Sequence, residues 1–345
     1  MIIFYDIEKS VLVKGILIVA ALAAALVVKP SQPLAWSTPG HMLSGAVAYQ
    51  VLERERSQTV QKIRSILEKH PWYETRWKGE LAKLPESDRD ETLFMIAPTW
   101  ANEIFGDILQ HRGSWHHIGW PFKPDGEPEW VHTNPPPATN LVSAINYNER
   151  IALSSKHPEK RAIAVTWLFH LTGDIHQPLH TISLFTREYP RGDYNGNNMC
   201  VRPSRDRSSM ELHEFWDDLV TGSKKPGELR RMGMELSGRF PRIVFAELAS
   251  VKPEEWARES FEIARKISYQ GGAIRGTPKG PRRGCWEVSD PVVLPDGYAA
   301  RAREIADSRI VLAGYRLATL LERLVNPDSP FPSSPWAIAR TRLAP

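Results

Sequence analysis

The chain has 345 residues, 42% hydrophobic and 24% charged, values that exclude a disordered protein and suit one large domain or two small ones. Its 44 basic and 40 acidic residues nearly cancel to a net charge of +4, with an isoelectric point near 9.0. That is only a slight lean toward anionic partners, short of the charge footprint of a dedicated nucleic-acid binder.

Lys9 and Lys14 precede an apolar run from Gly15 to Val28. The run is short for a membrane span and has the length of a signal-peptide core. Pro30, Ser31 and Pro33 then interrupt any helix, and Ala35 is the candidate last residue before cleavage, although Pro33 fits the small-x-small rule poorly. An uncleaved N-terminal anchor is the alternative. A chain cleaved there keeps about 310 residues, enough to bury a core without staples.

From His41 onward the periodicity is helical. Leu43, Val47 and Val51 step by four, and Val60, Ile63, Ile66 and Leu67 continue the pattern. Leu93, Ile96, Ala97, Trp100 and Ile104 form a second stripe. Arg161 to Leu171 is nearly all apolar after its first residue, which predicts a central helix. Trp256 to Ile267 and Ala299 to Leu324 predict two more. Strand-like alternation is scarce; Trp115 to Trp120 and Met199 to Arg202 are read as a short hairpin or as extended loops. The loops 121–139, 189–207 and 271–297 are rich in proline and glycine and can rim a site. Together these features predict an all-α domain over residues 36–325, after a leader at 1–35 and before a Pro/Ser-rich tail at 326–345. Cys200 and Cys285 are the only cysteines; an exported chain permits a disulfide between them, and two isolated thiols are the alternative.

The chemistry lies in two repeats of one spacing. His170 and Asp174 are four apart, as are His213 and Asp217, so each pair shares a helix face. Imidazole plus carboxylate is a donor mixture that zinc accepts, although a single such pair is more often a surface ion pair. The apolar neighbours of His170 (Thr166-Trp-Leu-Phe) make an unpartnered polar face costly. Pro178 ends or bends the helix and can swing His180 toward the same cavity; a plain helix exit is the alternative. His116 and His117 are adjacent, so on an extended segment they point to opposite sides and at most one faces a given metal. His70, His111, His132 and His157 have no such spacing and are expected on the surface or in loops. His176 is expected to support the site or the fold through hydrogen bonds. No Walker loop, dinucleotide fingerprint or Gly-x-Ser-x-Gly motif is present.

With these residues in view, the chain resembles the zinc-dependent nucleases of the S-one/P-one type, whose fold is related to bacterial zinc phospholipase C. The resemblance runs from Trp36 to about Leu324. It rests first on His170-x-x-Gly-Asp174-Ile-His-Gln-Pro-Leu-His180 and Leu212-His-x-x-Trp-Asp217. Trp36-Ser-x-x-Gly-His41, Trp115-His116-His-Ile, Asn195-Gly-Asn197 and Ala313-Gly-Tyr-Arg-Leu-Ala318 support it. It implies a multi-helix fold with three zinc ions. His116, His170 and Asp174 would hold one, and His180, His213 and Asp217 a second. The third would take His41, Asp174 as a bridge, and the free amino group and carbonyl of Trp36. A peptide nitrogen is a poor zinc ligand, so this third site implies cleavage after Ala35.

Two departures stand out. Where the family places an aspartate on the first zinc, beside the attacking water, this chain has Asn102 within Trp100-Ala-Asn. Asparagine can ligate through its carbonyl oxygen but adds no charge and is a poor base. Where the family often places an aromatic ring to stack on a base, this chain has His117. With Asn195 and Asn197, His117 is the expected substrate contact. The resemblance implies a periplasmic or secreted hydrolase acting on single-stranded DNA and RNA, leaving 5′-phosphate products, with Asn102 and Asp174 nearest the chemistry. No stable protein partner is implied, and no membrane association after cleavage. A phospholipase C-like enzyme is the first alternative, although that group carries glutamate at the Asp217 position. A zinc-binding protein with weakened catalysis is the second.

Overall fold

A computed structural model describes residues 36–104, 112–220, 222–280 and 284–328. The expected leader, His111 and most of the expected tail lie outside them.

The first helix, α1 (Thr38–Leu67), buries almost every residue from Pro39 to Leu52 and then kinks at Arg56 (φ −153°, ψ 54°). The stripe that begins at Leu93 falls in α2 (Glu86–Ile96), followed by a 3-10 turn (Ala97–Thr99) and a short helix (Trp100–Glu103). α3 (Leu141–Ser154) starts with a capping box, in which Asn140 and Ser143 satisfy each other's backbone N–H. The central helix is α4 (Pro158–Asp174), buried throughout from Ala164 to Asp174. α5 (Leu212–Asp217) and α6 (Pro226–Arg239) follow, then α7 (Pro253–Ile263) with a π-helical turn to Ser268, and α8 (Tyr298–Val325).

α1 packs most extensively on α8 and also contacts α2, α4 and α6; α3 lies along α4. Gly314 allows the α1–α8 approach, since a Cβ there would sit 2.5 Å from Val47 Cβ. The described residues group as one unit. Among the described residues, no helix is long and apolar enough to cross a membrane.

The two extended segments do not form a hairpin with each other. β1 (Trp120–Phe122) pairs in parallel with β2 (Ile182–Leu184). β3 (Met199–Arg202) pairs with β4 (Met210–Glu211), β5 (Thr277–Pro278) and β6 (Val292–Val293). Both are small patches that fasten loops to the helical body. The Cys200–Cys285 disulfide is present, with Cα atoms 5.4 Å apart, inside the usual range. His70 is corrected from surface to core: it is 3% exposed, stacks on Trp77 at 4.6 Å and accepts the Trp72 backbone N–H at Nδ1. Aromatic neighbours cover its ring.

Candidate metal centre

α4 ends in His170 and Asp174, on one face and fully buried. Asp174 is the hub of a first group. His116 Nδ1 lies 2.9 Å and His170 Nε2 3.2 Å from its Oδ2, and His41 Nε2 lies 3.3 Å from its Oδ1. The His41 ring stacks on His170 with centroids 4.0 Å apart. Gly173 makes this possible: a Cβ there would meet His41 Nδ1 at 2.7 Å, so any side chain would push the ring off α4. Trp36 is completely buried and donates its indole N–H to Gly173 O at 3.0 Å, placing residue 36 at the same helix end.

The second group stands on α5. His213 Nε2 is 3.4 Å from Asp217 Oδ2, and His180 Nε2 is 3.8 Å from Oδ1. His180 arrives there because α4 stops at Asp174 and a 3-10 turn begins at Pro178. Gln177 joins the two elements by donating to Asp217 Oδ1 at 2.8 Å. His117 stacks on His180 with centroids 4.5 Å apart and lies 5.4 Å from His213. The adjacent histidines therefore do diverge, His116 to the first group and His117 to the second. Donor atoms of His41, His170 and Asp174 lie within 4.8 Å of one another, as do those of His117, His180 and His213.

Backbone carbonyls set the tautomers. The Nδ1–H groups of His170, His180 and His213 donate to Pro98 O (2.8 Å), His116 O (2.6 Å) and Asn195 O (2.7 Å). Each Nε2 is left with its lone pair facing inward, the arrangement found around metal-bound histidines. Burial favours the neutral form of five rings in the two groups. His41 is pushed down to about 3 by burial and by His170, against the pull of Asp174. Burial likewise lowers His116, His117, His180 and His213. Burial alone would raise Asp174, but His170, His116 and His41 outweigh it and hold the carboxyl well below its usual range. Asp217 moves the other way, to about 7, raised by burial despite opposing contributions from His213 and Gln177.

A cation fits both groups. His41 Nε2, Asp174 Oδ1, His117 Nε2, His180 Nε2 and His213 Nε2 are buried without a hydrogen bond. An orphaned buried polar atom costs about 1–3 kcal/mol, and an ion within each group would satisfy all five. The mixture of neutral imidazole and carboxylate suits a borderline-soft divalent ion such as zinc.

Known proteins decide the kinship. The family model described as S1/P1 Nuclease matches residues 36–326. The chain belongs to the S1/P1 nuclease family. It is 23% identical over 314 residues to Endonuclease 3 of Arabidopsis thaliana, covering 84% of this chain and 89% of that protein. Endonuclease 5 of the same plant is 28% identical over 174 residues, covering 47% of this chain and 50% of its own length. Nuclease S1 of Aspergillus oryzae (strain ATCC 42149 / RIB 40) is 23% identical over 195 residues, covering 54% of this chain and 63% of its own length. As an S1/P1 nuclease, this chain is a hydrolase of phosphodiester bonds with nucleic acid as its substrate class, and its fold is the expected all-α one.

The other predicted site residues take distinct places. Asn102 lies on the short helix after the turn whose Pro98 carbonyl holds His170. Its Oδ1 and Nδ2 are buried and make no hydrogen bond. The adjacent Glu103 accepts from Thr99 Oγ1 at 2.9 Å and lies 3.5 Å from Arg76. Asn195 donates its amide to Leu179 O and Ile182 O at 3.0 and 2.9 Å, while its own carbonyl orients His213. Asn197 donates back to Tyr194 O at 2.8 Å. His176 donates to Thr172 O and meets Arg316, which also pairs twice with Glu259. Arg316 lies in the Ala313–Ala318 motif, which here anchors the fold. Three contributors escaped sequence reasoning. Gln177 and Gly173 sit inside a quoted motif but carry no metal-ligating atoms. The Pro98 carbonyl leaves no trace in side-chain pattern.

Proposed function

We propose that the chain is an exported zinc-dependent endonuclease that cleaves single-stranded DNA and RNA to 5′-phosphate products, with 3′-nucleotidase activity as a second expression of the same site. The observation that carries this reading is the buried Asp174 carboxylate, with imidazoles on both oxygens at 2.9–3.3 Å, beside a second group on α5. When bound, zinc supplies Lewis acidity toward phosphate oxygens and lowers the pKa of a coordinated water.

The residues of the chain would divide the work as follows. His116, His170 and Asp174 hold one ion, with the Asn102 carbonyl oxygen as an uncharged addition. His180, His213 and Asp217 hold another. His41, the shared Asp174 and the amine and carbonyl of Trp36 hold the third. Asp174 would thus be the one carboxylate common to two ions, and Pro98, Asn195 and Gln177 keep the ligands aimed. A free amine at Trp36 requires removal of residues 1–35, which would tie export to activity and supports a periplasmic or secreted mature enzyme. The exposed Tyr194, 57% accessible beside Asn195, offers a ring near the second group on which a base can stack.

The test is metal analysis of the chain beginning at Trp36, paired with cleavage of single-stranded DNA, RNA, duplex DNA and phosphatidylcholine vesicles, with and without chelator. The expected result is bound zinc and chelator-sensitive cleavage that favours single strands. Vesicle hydrolysis without nucleic-acid cleavage would move the chain to the phospholipase C-like alternative. Asn102 favours one further reading, a zinc protein of weak catalysis, which predicts bound zinc and no cleavage of either substrate.

A further inference from the structure

The ligand sets above leave one imidazole of the centre unused. His117 is extended (φ −136°, ψ 160°), so its side chain leaves the backbone opposite to that of His116. Its peptide is pinned on both sides: Leu141 N donates to His117 O at 3.0 Å, and Ile118 N donates to His180 O at 2.7 Å. The ring is thereby locked in register with His180. One ring face is covered by His180, at 4.5 Å and 26° between planes. Its Nε2 is buried without a hydrogen bond, as are the Nε2 atoms of His180 and His213. One donor nitrogen from each of the three lies within 4.8 Å of the others. Three neighbouring rings that each bury an unpartnered nitrogen describe a ligand set better than a surface for a base.

We infer that His117 is a fourth protein ligand of the ion held by His180, His213 and Asp217. The inference rests on the zinc reading proposed above. Four protein donors close a tetrahedral zinc site, whereas catalytic sites keep an open position. Four donors from the chain would hold an ion on α5 more firmly than three.

The test uses the chain beginning at Trp36, stripped of metal and reloaded with zinc or with cobalt(II) as a spectroscopic probe. Wild type, His117→Phe and His117→Gly are compared by metal stoichiometry, metal affinity and cobalt visible absorption, with circular dichroism to verify folding. Phenylalanine keeps a stacking ring and removes the lone pair. The expected result is a loss of at least about 100-fold in affinity for one ion, more than the loss typical of an orienting partner, together with a changed cobalt spectrum. In His117→Gly, added imidazole restores that spectrum. Unchanged affinity and spectrum in His117→Phe would assign the ring to stacking and overturn the inference while leaving the zinc reading intact. If the phenylalanine variant fails to fold, absence of imidazole rescue in the glycine variant overturns it instead. A wild-type chain that binds no metal overturns both together.

Discussion

The two halves of the centre share an i,i+4 His–Asp pair and use the carboxylate in opposite ways. Asp174 is gripped by three imidazoles at 2.9–3.3 Å and held ionised. Asp217 stands 3.4 and 3.8 Å from its two partners, takes a hydrogen bond from Gln177 and is raised to about 7. The first half is organised around a charge, the second around imidazoles. The difference shows that the four-residue spacing only brings donors onto one face, and that residues from distant segments decide how each site behaves. Asn102 sharpens the contrast, since it leaves Asp174 as the sole negative ligand proposed for two ions.

Asp174→Ala should have the largest effect. It removes the hub of the first half, and nuclease turnover should fall at least about 10³-fold, with two ions fewer per chain by elemental analysis. Loss of a single ion would deny Asp174 its bridging role. Gly173→Ala tests the same half through packing. The new methyl displaces His41, and turnover should fall about 100-fold, with one ion lost and the second half unaffected; full metal content would mean that the ring finds another seat. Gln177→Leu tests the second half. Removing the donor to Asp217 should weaken one ion by about 10–100-fold, measured by competition with a chelator of known affinity. Asn102→Asp should have the smallest effect and the opposite sign. An added carboxylate in the first half should tighten an ion roughly tenfold, about 1.4 kcal/mol, and raise turnover. Unchanged zinc content and rate would place Asn102 outside the ligand set.

Much of this was legible beforehand, for physical reasons. α1, α4 and α8 carry broad apolar faces because they are buried on several sides, and such faces appear directly as periodicity. α6 buries only Leu229, Gly233 and Leu236, and so narrow a stripe, interrupted by glycines, gives little signal. α3 follows a long proline-rich loop, although its Asn140 and Ser143 do spell a cap. The β1–β2 pairing joins residues 120–122 to 182–184 through backbone groups alone, which no side-chain pattern announces. At the site, His170, Asp174, His213 and Asp217 were readable because their spacing fixes a common face. For His116 and His117, adjacency gave the divergence but not the destinations, which depend on where α4 and α5 lie. His70 was misplaced because its burial comes from tryptophans rather than from any polar partner in sequence.

The Cys200–Cys285 link bears on when the second half can exist. It spans 85 residues, and α5 lies inside that span. Cys200 pairs across β3–β4 with Glu211, the residue just before α5. Thiol oxidation therefore steadies the platform that carries His213 and Asp217. In a glutathione-rich cytosol such a bond stays open, and that platform loses one of its ties while keeping the Trp216–Tyr298 and Gln177–Asp217 hydrogen bonds. For an enzyme that attacks nucleic acid, such a link would act as a safety catch: oxidation would firm up the second half only where the cell's own messages are out of reach.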